Sequence, residues 1–293
     1  MWQAGEKIWG SGVGYTDEDC IAAMRRAHEL GVNLIDTAEG YAHGRSEEVV
    51  GLAVKEIGRE NLLIATKTHH PRHDHVLRAC EDSLRRLGLR EIDLYQVHWP
   101  DPWAQVPLKH TFRALETLHN QGKIRAIGVS NFGVRDLEAA RALLSKTDIV
   151  SNQVRYNLID REVEDEVVPY CRREGITVLA WSPIAKGILS GKYSTGPRPT
   201  DELRKDSPYY REANLKEYEK VLGPLRQIAA ARGKTPGQVA LNWLLRDGGV
   251  VPIPGAKGPA QAEENTGAAG WRLTSEENRA LTDAARSLSL DLF

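Results

Sequence analysis

With 293 residues, 41% of them hydrophobic and 27% charged, the chain has the composition of a folded globular protein and enough length for one α/β barrel or two smaller domains. A formal net charge of −1 gives no electrostatic ground for binding nucleic acid or an anionic membrane, and no apolar run is long enough to cross a bilayer. Cys20, Cys80 and Cys171 form no CxxC pair, and the start MWQAGEKIWG lacks a signal-peptide pattern, so reduced thiols and a cytoplasmic location are expected.

Short apolar runs alternate with longer amphipathic segments. After a first strand expected near residues 2–8, Thr16 and Asp19 form a capping-box start to a helix that Gly31 ends. Strands are then expected at 33–36, 62–67, 92–98, 124–130, 149–153, 177–181 and 250–253, most apolar at consecutive positions, as in strands covered on both faces. Between and after them the periodicity predicts helices over 46–57, 74–87, 107–120, 134–145, 161–174, 214–231, 236–246, 259–268 and 274–287. The Pro-, Gly- and charge-rich stretch 194–208 reads as a long loop, because the same alternation resumes after it. Strand–helix alternation implies parallel strands, and the fold expected is one (β/α)8 barrel domain over residues 1–293 with a shortened first strand. The alternative is an open doubly wound sheet. No GxGxxG follows a first strand, which argues against a Rossmann dinucleotide site.

In a barrel the chemistry lies at the C-terminal ends of the strands. Here those ends carry Asp36, Lys67, His98, Ser130, Asn131, Gln153, Trp181 and Ser182. Burying such groups unpaired costs several kcal/mol, on the order of 2–7, so their convergence on one mouth is hard to explain by packing alone. Each has a plain structural alternative: Asp36 as a loop cap, Lys67 as a surface residue, His98 as a satisfied core histidine, Trp181 as a core anchor.

Immediately after Lys67 comes THHPRHDH, with four of the nine histidines. A metal site needs three or four converging ligands, and no pair here has the i, i+4 spacing of HExxH. No metal is expected. Asp74 reads as a helix cap, and the histidines as a pocket edge or a solvated loop.

The motifs NLIDTAEGY, IATK, IDLYQVHWP, IRAIGVSNF, VSNQVRYN, LAWSPIAKGILSGKY and VPIPGAKGPAQAEEN, in this order over nearly the whole chain, resemble the aldo-keto reductases. The short-tailed bacterial oxidoreductases and the potassium-channel β subunits are the branch most similar. The resemblance implies a catalytic tetrad of Asp36, Tyr41, Lys67 and His98. Carbonyl reduction moves a hydride to carbon and leaves negative charge on oxygen, so a proton donor is needed there. A phenol is a weak acid, with an ordinary pKa of about 10. The Lys67 ammonium favours ionisation of the Tyr41 phenol, Asp36 holds the lysine, and His98 hydrogen-bonds the substrate oxygen. Tyr41 as a loop packing residue and Lys67–Asp36 as a structural ion pair are the alternatives.

By the same resemblance Ser130, Asn131 and Gln153 hold the nicotinamide carboxamide and Trp181 stacks on its ring. Ser182, Ile184, Ala185 and Lys192 belong to the loop over the pyrophosphate. Gly255, Lys257, Gln261, Glu264 and Asn265 belong to the adenosine end, with Lys257 meeting the 2′-phosphate. The implied cofactor is NADP(H), with NAD(H) as the second choice. Many relatives carry an arginine where Gln261 stands, and Arg211 is the candidate to replace that charge. Relatives also carry a hairpin plug before the position of Met1, so the chain is expected to be less stable than one extended upstream. Trp2, Trp99, Trp103 and Tyr156 are expected to line an apolar pocket for a small aldehyde or ketone. Two other functions use the same residues: a cofactor-sensing regulatory subunit, and a metal-dependent barrel hydrolase built on Asp36, His98 and the histidine loop.

Overall fold

The computed structural model of the chain describes residues 15–69, 72–101, 105–196, 199–201 and 204–292. Seven strands form in it: β1 (Leu34–Asp36), β2 (Leu63–Thr68), β3 (Ile92–Val97), β4 (Ile124–Ser130), β5 (Ile149–Arg155), β6 (Thr177–Trp181) and β7 (Val250–Pro252). They lie in the order β1 to β7, each parallel to the next. An open doubly wound sheet reverses its strand order part-way, and among the described strands no reversal occurs. The sheet is strongly curled. Gln153 Nε2 on β5 lies 2.8 Å from Asp36 Oδ1 on β1, whereas a flat sheet would hold strands four places apart at about 19 Å. The expected first strand near 2–8, together with Trp2, Trp103 and His70, lies outside the described residues.

Period-two alternation explains which side chains reach the inside of the curl. Along β2, Thr66 turns outward and donates to Glu47 at 2.6 Å, while Lys67 turns inward to Asp36. Along β5, Asn152 turns outward to the Phe132 carbonyl and Gln153 turns inward. The outward apolar residues Ile64, Ile127 and Val129 are fully buried under the helices.

The helices are α1 (Asp17–Glu29), α2 (Arg45–Ile57), α3 (His73–Leu87), α4 (Leu108–Asn120), α5 (Val134–Arg141), α6 (Val167–Arg173), α7 (Lys192–Thr195), α8 (Glu212–Arg232), α9 (Pro236–Leu244), α10 (Pro259–Thr266) and α11 (Ser275–Arg286). The Thr16/Asp19 capping box forms as expected, and Gly31 takes φ +94° just past the helix end. Helix α10 packs against both α9 and α1, and Arg26 of α1 pairs with Glu263 of α10 at 2.7 Å. The helix layer thus joins its last barrel helix to its first.

Two expected helices differ. The stretch 161–174 breaks into a 3-10 turn (Glu162–Glu164) and α6, because Pro169 is tolerated only in a first turn. The stretch 134–145 stops at Arg141, whose guanidinium is drawn to Asp148 and Glu174 at 2.8 and 2.9 Å. The three cysteines are buried and form no disulfide, and among the described residues no helix is long and apolar enough to span a membrane.

Candidate active site

Asp36, Lys67, Tyr41 and His98 meet at the C-terminal ends of β1, β2 and β3. Lys67 Nζ donates to Asp36 Oδ2 at 2.7 Å, to the Thr37 carbonyl at 2.7 Å and to Tyr41 Oη at 3.4 Å. All three ammonium protons are thereby matched to an acceptor. The Asp36 and Lys67 side chains are fully buried. Burial pushes the Asp36 carboxyl up, and the Lys67 charge pulls it down further, so its pKa ends below the ordinary value. Burial alone would depress Lys67, but Asp36 holds it above its ordinary pKa. The pair is therefore ionised, and the ammonium lies beside the phenol.

The second oxygen of Asp36 accepts from Gln96 Nε2 at 3.0 Å and from Gln153 Nε2 at 2.8 Å. Gln96 escaped the sequence reading because it stands mid-strand in an apolar run; its polarity between Tyr95 and Val97 was the available signal. Tyr41 begins a tight turn (Tyr41–Gly44) in which Ala42 and His43 take φ of 49° and 54°. Non-glycine residues rarely adopt this left-handed region, and such strain collects at functional sites.

The His98 and Tyr41 rings meet edge to face, with centroids 5.7 Å apart. Burial and the Lys67 charge push its pKa down to about 3, so it is neutral at neutral pH. Among the described residues no three His, Cys, Asp or Glu side chains are grouped as metal ligands. The histidine stretch resolves into separate contacts. His69 meets His98, His75 Nε2 lies 3.3 Å from Glu39 Oε1, and α3 starts two residues earlier than Asp74 capping required. Asp74 instead sits in the first turn and pairs with Arg78.

Tyr41 and His98 form one end of a cavity of about 830 Å³. Ser130, Asn131, Gln153 and Trp181 line it beside them. Trp181 Nε1 donates to Asn131 Oδ1 at 3.0 Å, which fixes the amide so that Nδ2 donates to the His98 carbonyl and to Ser130 Oγ. Gln153 spends its Nε2 on Asp36 and on Gln96 Oε1. Both amides therefore offer the cavity an oxygen rather than an N–H.

Ser182, Ile184 and Lys192 also line the cavity, whereas Ala185 is buried and does not line it. Ser182, Ala185 and Lys186 all take left-handed φ, as does Asn131. Gly255, Lys257, Gln261, Glu264 and Asn265 line the far end. Gln261 Oε1 accepts the Lys257 backbone N–H at 2.7 Å, and Asn265 Nδ2 donates to the Gly255 carbonyl at 3.1 Å.

Two expectations need correction. Arg211 is away from the cavity, paired with Asp291 at 2.7 Å; Arg204, held by Asp201 and Tyr193, lines it instead. Tyr156 is buried against Trp243 and donates to Glu164, so it is a core residue, while Trp99 does line the cavity. Arg155 and Lys186, which the sequence reading missed, also line it. The Arg155 guanidinium lies 4.7 Å from the Trp181 ring. Burial, with the Arg155 charge, lowers the pKa of Lys186; burial, with the Arg204 charge, lowers that of Lys257. Cations crowded in this way favour an anion.

The sequence model of the Aldo/keto reductase family matches residues 2–286. Aldo-keto reductase YhdN of Bacillus subtilis is 37% identical over 292 residues, covering 95% of this chain and 86% of the relative. An NADH-specific methylglyoxal reductase of Escherichia coli is 30% identical over 92% of this chain and 88% of its own length. Among solved structures, an aldo/keto reductase from Klebsiella pneumoniae in complex with NADP and acetate superposes with a TM-score of 0.74 at 31% identity, covering 94% of this chain and 90% of that one.

Proposed function

Since the chain belongs to the aldo/keto reductase family, we propose that it reduces aldehydes or ketones to alcohols with NADP(H), NAD(H) serving less well, and that Tyr41 donates the proton. The observation that carries this reading is the Lys67 ammonium, buried, paired to Asp36 at 2.7 Å and 3.4 Å from the Tyr41 hydroxyl at the floor of the cavity. The donor set fits such a cofactor: acceptor oxygens for an amide N–H₂ at one end, and Lys192, Arg204 and Lys257 for phosphate at the other. The family structure that carries NADP supports the same choice.

When bound, the nicotinamide would supply the hydride that the carbonyl carbon receives. Trp181 provides a flat face for its ring, with Asn131 Oδ1 and Gln153 Oε1 as acceptors for its amide. The Tyr41 hydroxyl passes its proton to the oxygen as charge develops there, and the neighbouring ammonium stabilises the phenolate left behind. Neutral His98 donates a hydrogen bond to the same oxygen without competing as an acid. Trp99 gives the substrate an apolar wall.

The test is binding followed by turnover. Quenching of tryptophan emission should show tighter binding of NADPH than NADH, and an aldehyde panel should show NADPH oxidation by the wild type. Tyr41→Phe should bind NADPH as well as the wild type and lose most turnover. Unchanged turnover removes Tyr41 as proton donor, and no turnover with tight NADPH binding favours a regulatory subunit instead.

A further inference from the structure

The histidine stretch after Lys67 contributes one residue to the site that the tetrad does not include. His69 Nδ1 lies 3.4 Å from His98 Nδ1, and the two rings meet edge to face with centroids 5.3 Å apart. A hydrogen bond between two imidazole nitrogens needs one N–H and one lone pair, so it ties the tautomer of one ring to that of the other. His98 uses Nδ1 for this bond and lines the cavity, which leaves Nε2 as the nitrogen available to a ligand. If His98 donates from Nδ1, its Nε2 is a bare acceptor and repels a carbonyl oxygen. If His69 donates, Nε2 carries the proton and attracts that oxygen.

We infer that His69 is a positioning residue whose Nδ1–H donates to His98 Nδ1, fixing the His98 proton on Nε2 so that this nitrogen donates to the carbonyl oxygen. The assignment rests on the reductase reading and deepens it. The surroundings support it from each side. Glu39 Oε1 accepts the His69 backbone N–H at 2.5 Å and lies 3.3 Å from His75 Nε2, which anchors the loop that carries the ring. The Tyr41 and His98 rings meet edge to face, and Tyr41 Oη accepts from Lys67, which Asp36 holds. With a buried cation so close, His98 remains neutral, and a neutral imidazole has a tautomer to be chosen. A partner on the other ring nitrogen is the usual means of making that choice.

Histidine ring-nitrogen NMR on the full chain tests this, with His98→Gln identifying the His98 signals. The wild type should show His98 protonated on Nε2. His69→Phe, which keeps a ring but removes the donor, should populate the Nδ1–H form. It should lower kcat for an aldehyde about tenfold with NADPH affinity unchanged. His69→Gln, whose amide again offers an N–H, should restore the tautomer and most of kcat. A His98 tautomer that is Nδ1–H in the wild type, or that does not change in His69→Phe, overturns the assignment whatever the activity. Because the NMR readout needs no turnover, failure of the reductase reading would show separately, as an inactive wild type with the expected tautomer.

Discussion

In the proposed reaction Lys67 is the residue on which the chemistry turns, and its burial makes it sensitive to its partners. Removing one member of a buried ion pair leaves the other charge unpaired. Lys67→Met should therefore lower stability by about 3–5 kcal/mol, read as a fall in the urea midpoint. Adding Asp36→Asn to it should recover most of that loss without recovering turnover. His98 gives a pH prediction. Its folded pKa, about 3, lies below the ordinary 6.5, so between those values the unfolded chain binds a proton that the folded one does not. Its contribution is present above pH 6.5 and is lost as pH falls toward 3. His98→Gln should flatten the acid limb of melting temperature against pH; an unchanged limb would assign that loss to other groups. These residues were legible because each is an ionisable group at the end of an apolar strand. Gln96 was not, since nothing in a sequence tells which strands face each other across a curled sheet, and only that crossing brings it to Asp36.

The loops hold these residues through backbone conformations that cost energy elsewhere in the fold. Ala42 and His43 follow Tyr41, and Ala185 and Lys186 follow the loop from β6, all at positive φ without being glycine. Glycine relieves that strain but frees the unfolded chain, by roughly 1 kcal/mol in each direction. Ala42→Gly should consequently leave the denaturation midpoint nearly unchanged, whereas the same exchange at Ala53, fully buried within α2, should lower it clearly. If Ala42→Gly destabilises as much as Ala53→Gly, the left-handed turn is not what holds Tyr41. The capping boxes and strand cores were readable from local pattern. The 3-10 segment Ala185–Ser190 and the short α7 were not, because tertiary contacts impose those conformations on residues whose own preferences point elsewhere. The misassigned cation has a similar cause. Arg211 and Arg204 are both basic residues in or beside one long loop, and only folding turns one toward the cavity and the other toward Asp291.

For the whole molecule, the parallel order of seven strands was legible from strict alternation, since crossover helices leave few other arrangements. The curl agrees with the expected barrel rather than the open alternative; because the two share the same local pattern, it is the hydrogen bond from β5 to β1 that distinguishes them. One cavity runs from the tetrad to the cluster of Lys192, Arg204 and Lys257, so a single ligand should couple both ends to stability. NADPH at a hundred times its Kd should add about 2.7 kcal/mol, and NADH at the same concentration less. Arg204→Ala and Lys257→Ala should each weaken NADPH roughly tenfold or more while changing NADH little, as expected for a lost charge-assisted hydrogen bond worth about 1.5–3 kcal/mol. Equal losses for both cofactors would move these cations away from the 2′-phosphate.

The most direct measurement of the central claim is a single-turnover experiment, in which wild type and Tyr41→Phe, each loaded with NADPH, are mixed rapidly with an aldehyde and the loss of nicotinamide absorbance is followed. The account predicts that the wild type oxidises its bound NADPH and that the phenylalanine variant, equally saturated, does so slower by about 10²–10⁴. Equal rates in the two proteins would contradict it.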